Sequence, residues 1–350
     1  MNKAKSAHPI LVAVRKVDRS ARATLRKAAL LAKLYDAPLR IVHVLAIPQG
    51  SLARAGGAVR QAAQADLDER AAGLEKLAGL AELRGLQIST TVRCDYPVQD
   101  ALVREAFDCH ARMLVVQSRE PGRLARLFLS NIDWELIRNC PCPLWLSKSD
   151  KFDRRAPVLA AVDPLHANAK PAMLDERIIQ QAVAAAGERP DKVLLCHAYN
   201  LAEPVLIDTP EIYWFAMSEQ SRQVYEQNID SAMGKLRKKR EIPEENAIVV
   251  RGDPAVQLPR LAKKHAASLV VMGAVSRRGL KRVFIGNTAE RVLDKLGCDV
   301  LVVKPRGFKS PVERHSYRQR VQRPRRKTAA ARASRRATEG AGSEGARPVV

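Results

Sequence analysis

The 350-residue chain repeats itself once, and the repeat limits its fold more than any other feature. Leu114-Val115-Val116 aligns with Leu269-Val270-Val271 at an offset of 155 residues. Further on, Phe128 aligns with Phe284, Asn131 with Asn287 and Cys142 with Cys298, all at an offset of 156. These identities fall inside matching strand–loop–helix–strand patterns, so the chain is a tandem duplication. Whatever one half folds into, the other must fold into as well, and the length suits two domains.

Each half alternates short apolar runs with helical stretches. In the first, runs at 10–14, 39–45, 86–92, 113–117 and 143–147 read as strands. Between them, 20–35, 61–84, 98–109 and 131–139 read as helices. The second half repeats this with strands at 158–162, 192–197, 247–250, 269–272 and 300–303, and helices at 219–240, 255–265 and 287–296. Continuous apolar runs suit strands covered on both faces, and parallel strands need crossover connections. The expected fold is α/β, with two doubly wound, Rossmann-like domains, each on a five-stranded parallel sheet. The domains are expected at 1–150 and 151–305, with a tail at 306–350. Ligand sites in such folds lie beyond the C-terminal strand ends. That directs attention to 15–18 and 117–131 in the first half, and to 163–166 and 273–288 in the second.

Composition narrows the class. Hydrophobic residues at 46% and charged residues at 28% exclude a wholly disordered or collagen-like chain. No apolar run approaches the roughly 18 residues of a membrane helix. The first residues are polar with no apolar signal core, and six scattered cysteines suit free thiols, so a cytoplasmic protein without a membrane span is expected. The net charge of +23 is uneven: the last 45 residues hold 13 Lys/Arg against 3 Asp/Glu. Within them Arg323, Arg325, Arg326 and Lys327 lie in a run of small and basic residues. Such a tail should be disordered alone, and either binds nucleic acid without sequence preference or serves as a solvated extension.

The loop most suggestive of binding chemistry follows the 269–272 strand. Gly273 ends that strand, and Gly286-Asn287-Thr288 opens a helix. Glycines let backbone approach an anion, and helix-start N–H groups bind phosphate. The alternative is a tight turn and an ordinary helix start. Cys140-x-Cys142 is too close for the usual zinc spacing and reads as structural thiols. His43 and His197 end equivalent strands and read as packing residues. No catalytic triad, metalloprotease helix or Walker A loop occurs, so no catalytic residue, no metal site and no enzymatic activity are expected.

The segments 269–273, 286–292 and 298–304 resemble the C-terminal half of a universal stress protein domain. The 133–145 run, 158–163, Asp175-Glu176-Arg177 and Thr209-Pro210-Glu211 resemble that family's tandem-domain branch, and the resemblance covers about 8–305. Some members bind ATP through Gly-x2-Gly-x9-Gly-Ser/Thr. Laid on this chain, the four positions are Gly273, Ser276, Gly286 and Asn287, so two of four match. Thr288 follows in the same helix start, and Asp163 matches the family's strand-end Asp that faces adenosine. The departures fall where phosphates would sit, so the resemblance implies ATP binding that is weak or absent, and no certain cofactor. In the first half Ser118 and Ser130 replace the glycines, and Asp133 adds negative charge, which implies a dead phosphate site. The resemblance also implies an internal pseudo-dimer paired along 144–147 and 300–303, leaves a homodimer open, and implies a role in stress survival, including DNA damage. The alternatives are an ATP-binding module in the second half and nucleic-acid association through the tail.

Overall fold

The computed structural model describes residues 8–48, 51–118, 129–149, 152–165, 173–200, 204–205, 213–214, 219–273 and 286–313. Ser276 and the basic tail from 314 onward, with Arg323, Arg325, Arg326 and Lys327, lie outside the described residues. The first half runs β1 (Ile10–Ala13), α1 (Arg22–Leu34), β2 (Leu39–Leu45), α2 (Ser51–Arg54), α3 (Gly57–Ala78), β3 (Ile88–Cys94), α4 (Val98–Asp108), β4 (Met113–Gln117), α5 (Asn131–Asn139) and β5 (Leu144–Ser147). The second runs β6 (Val158–Ala161), α6 (Leu174–Ala185), β7 (Val193–Tyr199), a short β8–β9 ladder (Pro204–Val205 with Tyr213–Trp214), α7 (Glu219–Lys238), β10 (Ala247–Arg251), α8 (Pro254–Lys264), β11 (Leu269–Gly273), α9 (Asn287–Lys295) and β12 (Asp299–Val303).

Each half builds five parallel strands, in the orders β3-β2-β1-β4-β5 and β10-β7-β6-β11-β12. The two sets do not end as separate sheets. β5 pairs antiparallel with β12, giving one mixed ten-stranded sheet. The register is Val300 with Leu146, Leu301 with Trp145 and Val302 with Leu144. Leu301 is the repeat equivalent of Trp145, so a pseudo-twofold axis passes through that pair, and each half presents the same strand to the other. The pairing removes two apolar edges that would otherwise template aggregation.

Strand alternation feeds two cores. Ile10, Val12 and Val271 point to a layer with α1, α3 and α6, while Leu11, Leu114 and Val270 point to the layer of α4, α5, α8 and α9. Both layers run across the junction of the halves.

That junction is polar at its centre. The buried Asp299 carboxylate accepts from Lys27 Nζ (2.6 Å), Trp145 Nε1 (2.8 Å), and the backbone N–H groups of Lys148 and Ser149 (3.0 Å each). Lys27 also donates to Ser147 Oγ at 2.9 Å. Two repeat-equivalent lysines then reach across in opposite directions. Lys148 Nζ donates to Leu293 O (2.5 Å) and Leu296 O (3.1 Å) at the end of α9, and Lys304 Nζ to Ile137 O and to Arg138 O (3.0 Å) at the end of α5. Each satisfies carbonyls that a helix end leaves unpaired and places a cation at the negative end of its dipole. Burial pushes both ammonium groups down to about 8.

Candidate functional site

In each half the strand order reverses between the first and fourth strands, and the site builds from there. Val14 follows β1 and donates its N–H to Val42 O; Val162 follows β6 and donates to Cys196 O. His43 and His197 place Nδ1 3.0 Å from the carbonyls of Val14 and Val162 respectively. Both rings are buried, and burial lowers the His43 pKa. These histidines tie the first strand's end to the second strand, which is the packing role expected of them. The match also fixes the next residue: Arg15 in one half occupies the place of Asp163 in the other.

In the first half that exchange fills the site. Helix α5 begins with Ser130 as N-cap, and Asp133 closes a capping box with it. Asp133 Oδ2 accepts from Ser130 N (2.9 Å), Ser130 Oγ (2.9 Å) and Ser118 Oγ (3.2 Å). The Arg15 guanidinium stands 3.6 Å from Oδ1. Asp133 is fully buried, and burial raises its pKa against the lowering influence of these partners. A side-chain carboxylate thus takes the donors that a phosphate would use. Beside it lies a cavity of about 260 Å³, walled by Ala13, Val42 and Val44 from β1 and β2, Leu102 from α4, and Ile132 and Leu136 from α5. Among the described residues, Arg15, Gln117 and Asp133 are the polar groups on its wall. It suits a compact, mostly apolar ligand. The sequence signalled Asp133 as an obstacle to phosphate, but neither the cavity nor the Arg15 contact.

The second half is arranged differently. Asp163 lies two residues beyond the end of β6 and Gly273 ends the neighbouring β11, the two strands pairing through Ala161 and Met272. Asp163 donates its N–H to Asp175 Oδ1 at 3.1 Å, which anchors the loop to the first turn of α6. Gly273 has a packing reason to be glycine: an added Cβ would sit 2.7 Å from Leu174 Cδ2 and 3.1 Å from its Cγ. Its smallness lets α6 lie close on the strand end. Gly286 is the N-cap of α9, without a side-chain cap, and a Cβ there would meet nothing within 4 Å. Gly286, Asn287 and Thr288 are exposed. Among the described residues nothing closes this helix start, whereas Ser130 and Asp133 close its counterpart. Among the described residues, no three His, Cys, Asp or Glu side chains converge as a metal site would require.

The model of the universal stress protein family matches residues 7–148 and again 158–304. Universal stress protein E of Photorhabdus laumondii is 26% identical over 283 residues, covering 80% of this chain and 86% of that protein. Its Escherichia coli K12 counterpart is 31% identical over 216 residues, covering 61% and 67%. Among solved structures, a functionally unknown protein of Pseudomonas aeruginosa PAO1 aligns over 85% of this chain and 93% of its own, with 24% identity and a TM-score of 0.62. A universal stress protein of Archaeoglobus fulgidus, 12% identical, aligns over 84% and 98% with a TM-score of 0.56.

Proposed function

The chain belongs to the universal stress protein family, and on that premise we propose that it serves stress response and survival, including survival of DNA damage, by binding a ligand or partner without catalytic turnover. The observation that carries this reading is the contrast between the halves. Asp133 and Ser130 close the first-half helix start to anions while leaving an apolar cavity of about 260 Å³ beside it. The domains, 1–150 and 151–305, act as an internal pseudo-dimer in the cytoplasm, and the antiparallel β5–β12 pairing supports that reading. A second reading, ATP held weakly by Asp163, Gly273, Ser276, Gly286, Asn287 and Thr288, draws support from the start of α9, which no side chain among the described residues caps.

The test is complementation of a strain lacking the gene, scored for survival after a DNA-damaging agent. The full chain should restore survival, and a folded Ala13→Leu variant, which fills the first-half cavity, should not. Full rescue by Ala13→Leu would remove the cavity from the function. No survival difference between the deletion strain and the rescued strain would sink the stress role. Sustained ADP release from ATP by the purified chain would overturn the absence of turnover.

A further inference from the structure

Helix α5 ends at Cys140, whose N–H donates to Leu136 O at 2.9 Å. Two residues on, across Pro141, the Cys142 sulfur lies 3.6 Å from that of Cys140, so the two thiols are in contact. Cys140 is fully buried and Cys142 is partly exposed. Their spacing is wrong for a zinc site but leaves one residue between sulfurs that already touch. We propose that Cys140 and Cys142 form a redox-active dithiol, oxidised to an intramolecular disulfide by small disulfides of the glutathione class.

The chemistry divides between the two sulfurs by exposure. Cys142, the reachable one, gives its proton to solvent and attacks one sulfur of the small disulfide. A mixed disulfide forms and the first small thiolate leaves. Cys140 then loses its proton and attacks the Cys142 sulfur, forming the protein disulfide and expelling the second thiolate. Two cysteine thiols are oxidised, one small disulfide is reduced to two thiols, and the two cysteine protons balance the two thiolates released. The environment suits the second step. In the free dithiol the Cys142 hydrogen bond and the nearby Lys304 charge lower the Cys140 pKa; once Cys142 is in the mixed disulfide it has no S–H to donate, and the Lys304 charge remains to favour the Cys140 thiolate.

The remaining cysteines provide an internal contrast. Burial raises Cys109 and Cys196 to about 12 and Cys298 to about 11, and it also raises Cys94. Cys142 is held up as well, by the Cys140 sulfur and by burial, so what sets the pair apart is not a larger supply of thiolate but the 3.6 Å contact between its two sulfurs. The dithiol also sits at the junction of the halves, because Lys304 of the second half holds the carbonyls of Ile137 and Arg138 just before Cys140. Closing the disulfide therefore bends the chain where one lysine clamp is anchored.

The experiment equilibrates the folded full chain with oxidised glutathione in excess over reduced, quenches with acid, alkylates and digests with trypsin. Residues 139–148 form one tryptic peptide holding both cysteines. It should appear unalkylated and lighter by two hydrogens, while Cys94, Cys109, Cys196 and Cys298 stay alkylatable. Cys140→Ser should trap one glutathione on Cys142, and Cys142→Ser should leave the buried Cys140 unmodified. Full alkylation of both cysteines in the wild-type chain, with its circular dichroism unchanged, would overturn the proposal. So would a Cys109–Cys142 link in place of the 140–142 disulfide.

Discussion

Replacing Asp299 with alanine removes one carboxylate and leaves four donors, three of them buried, without it. Lys27, 1% exposed at its side chain, loses its ion pair at 2.6 Å, and Trp145 loses the acceptor of its indole N–H at 2.8 Å. Removing one partner of a buried pair costs about 3–5 kcal/mol, because the other charge is left uncompensated. An unsatisfied buried N–H costs about 1–3 kcal/mol where no water replaces the acceptor. These costs overlap, so about 4 kcal/mol is the expected loss for Asp299→Ala. In a domain of this size each kcal/mol moves Tm by about 2–4 °C, so Tm should fall by roughly 8–16 °C. Thermal melts followed by far-UV circular dichroism give the number. Adding Lys27→Met to Asp299→Ala removes the stranded charge and should recover most of the loss, whereas Arg189→Ala, at an exposed pair, should barely move Tm. If Asp299→Ala cost no more than Arg189→Ala, or if Lys27→Met deepened the loss, the polar junction would not be what joins the halves.

Three further outcomes are expected. Folding holds the Cys196 thiol at about 12, above the unfolded thiol pKa of about 8.5, so its stabilising contribution is full below about pH 8.5 and is lost as pH rises toward 12. Over that window wild type should lose stability faster than Cys196→Ala by about 1.4 kcal/mol per pH unit, measured by urea unfolding at stepped pH; parallel profiles would refute it. Gly273→Ala should destabilise by about 1–3 kcal/mol through its clash with Leu174, and Leu174→Ala added to it should relieve part of that cost; a neutral Gly273→Ala would refute the packing role. The full chain should bind a labelled DNA duplex with a log–log salt slope near −5 for about six phosphate contacts, and a 1–305 truncation should lose that binding; equal anisotropy curves for the two chains would place the affinity in the body.

Most of the architecture was legible because it follows from local rules. The apolar runs at β1, β4 and β11 are covered on both faces, so their composition alone marks them as strands. Helix α5 falls at 131–139 as the pattern predicts, since Ser130 and Asp133 make a capping box and Cys140-Pro141 stops the helix. Helix α3 is displaced from the expected 61–84 to 57–78, because its exposed outer face carries a weak apolar period and Gly79 ends it early. The β8–β9 ladder has two residues per strand, too few for a period to show. Pairing along 144–147 and 300–303 came from the family resemblance, and its register requires the structure. The roles of Asp299, Lys148 and Lys304 exist only after the halves meet, so no local pattern could reveal them. The site divides in the same way. Asp133 was readable from its place in the helix start, whereas the Arg15 contact, the cavity and the packing of Gly273 against Leu174 depend on elements far apart in sequence.

The most direct test of the binding account is calorimetry of ATP against the full chain. Two of the four phosphate-loop positions depart from the family's pattern, and the first-half helix start is occupied by Asp133. Losing two phosphate hydrogen bonds costs roughly 2–4 kcal/mol, or about 30- to 1,000-fold in affinity. The expected result is no saturable heat at micromolar ATP, with Ser276→Gly and Asn287→Ser together moving affinity upward. Micromolar binding of one ATP per chain, abolished by Gly286→Val, would contradict the account and make the second half a working nucleotide site.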